Sequence, residues 1–108
     1  MGRNKWLWEC WHECNAKWFN GKLPVPEAIR VTKAQSYEGK LHVVISEKDE
    51  ILKNKIFISV YTLDPLGTLL HEMIHQYQAF VMKVEPDHGW SFRCYAKYLE
   101  RMTGENIR

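Results

Sequence analysis

Asp64-Pro65-Leu66-Gly67-Thr68-Leu69-Leu70-His71-Glu72-Met73-Ile74-His75-Gln76-Tyr77 is the stretch whose reading decides the fold. It opens with two helix-start signals, Asp as a favoured N-cap and Pro as a favoured first helical residue. Beyond them Leu66, Leu70, Met73, Tyr77 and Val81 recur at helical spacing, which predicts one long helix over residues 65–83. Val84-Glu85-Pro86-Asp87 breaks it. A last helix is expected over residues 88–102, with Phe92, Tyr95, Leu99 and Met102 inward and Thr103-Gly104 as its stop.

Upstream of the long helix the pattern changes from helical to alternating. Residues 29–33, 40–46 and 55–61 read as three short strands, with Gly39 and Glu47-Lys48-Asp49-Glu50 as turns between them. Brief connections suggest an antiparallel meander. By analogy with other proteins in which such a strand precedes a comparable helix, the segment Ile56-Phe57-Ile58-Ser59-Val60 is expected to be an edge strand. Residues 4–20 read as an amphipathic helix, with Leu7, Trp11, Cys14 and Trp18 on one line and Lys5, Glu9, Glu13 and Ala16 opposite. Asn20-Gly21 ends it, and Pro24 and Pro26 prevent its resumption. The order of one helix, three strands and two helices makes an α+β domain over residues 1–108.

Composition agrees with one globular domain and excludes several classes. The chain has 108 residues, 45% hydrophobic and 26% charged, a balance unlike that of a disordered tail. A net charge of +2 is too mild to argue for nucleic acid by itself. No run approaches the roughly 18 apolar residues of a membrane span, and the N-terminus lacks an apolar signal core. The three cysteines, Cys10, Cys14 and Cys94, form no disulfide framework, so a reduced, cytoplasmic protein is expected. Cys10 and Cys14 lie at the apolar stripe and read as buried thiols, not metal ligands.

Inside the long helix, His71-Glu72-Met73-Ile74-His75 is an H-E-x-x-H motif. Two His four apart lie one turn above each other on one helix face, so both imidazoles reach a single cation. The intervening Glu72 is rotated by about 100° from His71, near enough to hold a water without ligating the metal. A catalytic zinc takes a third protein ligand and leaves a position for water. His88 is the leading candidate, since it follows a turn that reverses the chain; Glu85, Asp87 and Glu100 compete with it. Candidates for an oxyanion donor are Tyr61, Tyr95 and His42.

Together with His88-Gly89-x-x-Phe92, the motif resembles the SprT-like zinc metallopeptidases, the family that includes a protease of DNA–protein crosslinks. The segment Trp18-Phe19-Asn20-Gly21-Lys22-Leu23-Pro24 and the approach from Asp64-Pro65 to Leu69-Leu70 are similar to that family as well. The resemblance implies zinc ligands at His71, His75 and His88, one Zn2+ per chain, and a general base at Glu72. It implies the minimal protease layout, because the four-cysteine zinc ribbon of larger members has no counterpart in Cys10, Cys14 and Cys94.

The expected activity is zinc-dependent hydrolysis of peptide bonds in protein or peptide substrates. DNA-associated proteins are among the substrates that the resemblance suggests, with weak DNA binding. Trp6 and Trp8, if exposed, would add stacking to single strands. Two other classes stand beside this one: a non-catalytic zinc module that binds DNA or protein, and a metal-dependent nuclease. An acidic residue after the first His favours the peptidase.

Overall fold

A computed structural model of the chain describes residues 2–107. The elements are α1 (Gly2–Trp18), β1 (Ala28–Thr32), β2 (Gly39–Ile45), β3 (Ile51–Ser59), α2 (Pro65–Gln76), a π-helical continuation of α2 (Tyr77–Met82) and α3 (Trp90–Thr103). The α+β class and the element order are those expected from the sequence. The long helical segment ends on Lys83, whose φ of 62° is left-handed.

The sheet differs from the expected meander. Its order is β1-β3-β2, with β2 antiparallel to β3 and β1 parallel to it. The β2–β3 hairpin forms around the turn near Ser46, where the Ser46 hydroxyl accepts from Lys48 and Glu50 N–H groups. The chain leaving β1 crosses the end of β3 instead of turning back beside it. Three bonds hold that crossing: Ser59 Oγ donates to Ala34 O, Ser59 N–H donates to Glu38 O at 2.7 Å, and Thr62 Oγ1 donates to Glu38 Oε1 at 2.9 Å. The segment expected at the edge is therefore central. β3 is paired on both sides, which matches its fully buried Ile56 and Ile58. The free edges belong to β1 and β2.

One face of the sheet packs against the helices. Leu7, Trp11, Phe19, Ile56, Ile58, Leu69, Leu70, Met73, Phe92 and Leu99 form the core between them. The α1 stripe is placed as its spacing requires, with Leu7, Trp11 and Cys14 buried and Trp18 half-buried. Asn15, also buried, ties the end of α1 to the following loop by exchanging two hydrogen bonds with Leu23.

The last helix corrects two expectations. It begins at Trp90 with Gly89 as N-cap, so His88 lies in the preceding turn and not on a helical face. Met102 is half exposed instead of inward. The chain reverses at Gly104 (φ 77°), Glu100 Oε2 accepts from Ile107 N–H, and Ile107 fills the core position instead. No helix among the described residues is long and apolar enough to cross a membrane.

Candidate metal centre

The start of α2 is fixed by chemistry local to it. Asp64 Oδ1 accepts from Gly67 N–H at 2.9 Å, and Pro65 supplies the first helical residue. With that phase set, Leu69, Leu70, Met73 and Ile74 enter the core. His71 and His75 stand one turn apart on the border of that face, the first half-buried and the second buried. The turn after Lys83 then carries His88 back over both.

The three rings converge. His88 Nε2 lies 3.0 Å from His71 Nε2 and 3.2 Å from His75 Nε2, and the three ligand atoms all fall within 4.8 Å of one another. A tetrahedral ion with metal–nitrogen bonds of about 2.0–2.1 Å separates its nitrogens by about 3.3 Å. Both closest pairs are near that spacing, and three imidazoles are a donor set suited to zinc. Phe92 forms the floor of the cluster, its ring centre 4.7 Å from that of His71 and 4.9 Å from those of His75 and His88.

Glu72 faces the sheet side of the cluster and is 4% exposed. Burial alone pushes its carboxyl up to about 8. Gly39, the first residue of β2, is packed so closely here that a Cβ on it would stand 2.6 Å from Thr68 Cγ2 and 2.9 Å from Glu72 Oε2. Glycine at that position lets the strand reach the Glu72 carboxylate. For His75 burial is the largest influence and lowers its pKa; the facing His88 adds to this, while the bond to Gln78 and the charge of Asp87 oppose it.

Two open clefts meet at the cluster. One, about 1050 Å³, is lined by His71, Glu72 and His88 with Gly39, Tyr61 and Leu63. The other, about 730 Å³, is lined by Glu72, His75 and His88 with Leu41, Val43 and Pro86. Glu72 and His88 border both, so the two form one groove running along β2 past the histidines.

The competing ligands are engaged elsewhere or stand apart. Glu100 Oε2 holds Ile107 N–H at 2.8 Å, and Asp87 Oδ1 accepts from Gly89 N–H at 3.0 Å. Glu85 lines the second cleft but does not join the metal-competent group. Of the oxyanion candidates, Tyr61 lines the first cleft. Tyr95 donates its hydroxyl to Trp18 O, with burial pushing it up to about 12, and His42 lies on the exposed side of β2. Cys14 is buried and its thiol is pushed up to about 11 by that burial, which fits an inert core residue.

Sequence reasoning missed Gln78 and Gly39. Gln78 interrupts the apolar pattern three residues after His75, a signal that a side chain there has a polar task. Gly39 reads as turn punctuation, and nothing local reveals what it approaches.

Neither the models of known protein families nor the curated proteins yield a match to this chain.

Proposed function

We propose that the chain is a zinc-dependent endopeptidase of the SprT-like kind, with one zinc held by His71, His75 and His88. The observation that carries this reading is the convergence of three imidazole nitrogens beside a buried glutamate at the meeting point of two clefts. A bound zinc would supply Lewis acidity toward the scissile carbonyl and make water acidic enough to ionise near neutral pH. The Glu72 carboxylate takes the proton of the attacking water and delivers it to the leaving amine as the C–N bond breaks. The ion's positive charge favours the ionised carboxylate that this step requires.

Extended substrate has a place to bind. Ser59 N–H donates to Glu38 O, so the alternation of an antiparallel pair turns the backbone of Gly39, Leu41 and Val43 toward the free edge of β2. A peptide adding there as a further strand would run along the groove and across the cluster. Tyr61 is the oxyanion donor that the lining of the first cleft favours. Association with DNA is proposed to be weak and electrostatic, because the net charge is only +2. Fluorescence anisotropy across a salt series tests that, and tight binding that survives high salt would overturn it.

The test of the activity is incubation of zinc-loaded protein with casein and histones, with and without DNA, and separately with labelled RNA. Cleavage of protein that stops on adding a chelator supports the peptidase. Cut RNA with intact protein substrates would make it a nuclease, and bound zinc with neither activity would make it a structural zinc module.

A further inference from the structure

Gln78, in the π-helical turn, is 1% exposed, and every hydrogen-bonding position of its carboxamide is used. Asp87 N–H donates to Oε1 at 3.2 Å, and Nε2 donates to Ser91 Oγ at 3.0 Å and to Asp87 Oδ1 at 3.4 Å. The remaining contact is Oε1 to His75 Nδ1 at 2.8 Å.

These contacts leave one consistent proton arrangement. A backbone N–H only donates, so the carboxamide atom facing Asp87 N is oxygen. The same atom faces His75 Nδ1, which must therefore carry the hydrogen. His75 is then the Nδ1–H tautomer, with the Nε2 lone pair directed at His88 and the cluster. The same side chain also grips Asp87, the residue before His88, by both its N–H and its carboxylate.

We infer that Gln78 is a positioning residue for the metal centre, selecting the ligating tautomer of His75 and docking the turn that presents His88. This rests on the metal-site reading above. Outer partners of this kind commonly change metal affinity 10–100-fold when removed. Gln78 acts on two of the three ligands at once, so its loss should fall in that range or above.

The test compares the parent with Gln78→Met, similar in length but without the hydrogen bonds, and with Gln78→Glu, which keeps both acceptor contacts. Imidazole 15N shifts of the metal-free proteins should place the His75 hydrogen on Nδ1 in the parent and in Gln78→Glu, and move it toward Nε2 in Gln78→Met. Zinc affinity from chelator competition should fall at least 10-fold in Gln78→Met and less in Gln78→Glu. A parent whose His75 hydrogen sits on Nε2 overturns the inference even if Gln78→Met does not fold. So does a folded Gln78→Met with unchanged tautomer and zinc affinity, in which case the metal site survives without this role for Gln78. A parent that takes up no zinc overturns the metal-site reading itself.

Discussion

Gln76 and Gln78 stand two residues apart on one helical segment and are both buried, yet they serve opposite sides of it. Gln76 Oε1 accepts from Trp11 Nε1–H at 2.9 Å, and its Nε2 donates to Asn54 Oδ1 at 3.0 Å. That network joins α1, β3 and α2 and touches no group of the histidine cluster. The Gln78 side chain bonds toward the cluster, the turn that carries His88 and the first turn of α3 at Ser91. The core side of the helix is thus held by a polar clasp within apolar packing, while the other side is a polar assembly built around three histidines. The same residue type at the same burial therefore has two tasks, and each face should fail in its own way when disturbed.

The largest effect is expected at the carboxylate. If the proposed peptidase reading holds, Glu72→Gln should keep zinc and fold while peptidase activity falls by about two to four orders of magnitude, because a general base contributes roughly 10²–10⁴-fold. Activity near that of the parent, with zinc bound, would remove Glu72 from its role.

Next comes the histidine from the turn. His88→Ala should bind zinc far more weakly than the parent, and the rise in melting temperature expected for the parent on adding zinc should vanish. In the presence of a chelator the two proteins should differ far less, since His88 is exposed and its ring meets the core only at Phe92. Full zinc retention, with Glu85, Asp87 or Glu100 found on the metal, would overturn the assignment.

How far these faces were legible in the sequence follows from what sets them. Helix-phase signals are local, so the motif helix, its Asp64-Pro65 start and the stripe of α1 could be read directly. The pair His71 and His75 needed only the helical repeat. His88 was reachable because the turn before it breaks the helix, though its place ahead of α3 depends on Asp87 and Gly89. Sheet order was not legible, because pairing is decided by where the chain leaving β1 crosses, and that is fixed by Ser59 and Thr62 bonds from distant positions. The core clasp of Trp11, Asn54 and Gln76 escaped for the same reason. Each member is an ordinary polar or aromatic residue until the fold brings them together.

A third test uses the metal-free protein. The folded-state pKa of Glu72, about 8, lies above its ordinary 4.5. The native state thus holds a proton that the unfolded chain releases, and stability falls as pH rises between those values. The slope approaches about 1.4 kcal/mol per pH unit where the difference is complete. The informative quantity is the difference between parent and Glu72→Gln, both with chelator, in which contributions common to the two proteins cancel. From pH 5 to 8 the parent should lose stability relative to the variant, and zinc should shrink that loss. Parallel pH curves in the metal-free state would mean that the carboxyl is not buried as described.

A last test, which leaves the metal centre untouched, sharpens the contrast between the two glutamines. Gln76→Leu keeps bulk in the core but leaves Trp11 Nε1–H and Asn54 Oδ1 without their partner, at a cost of about 1–3 kcal/mol for each group left unpaired. Zinc affinity of the folded variant should be unchanged, because the Gln76 side chain bonds to Trp11 and Asn54 and not to the three histidines. Denaturant unfolding gives the first quantity and chelator competition the second. Trp11→Phe supplies the control, since it removes the donor and keeps an aromatic ring. If the Trp11–Gln76 bond carries part of the cost, the double variant should lose less stability than the two single losses added together. Additive losses would show that Gln76 acts through Asn54 alone. A Gln76→Leu protein that keeps its stability but loses zinc would erase the division between the two faces, because the core clasp would then be supporting the metal centre.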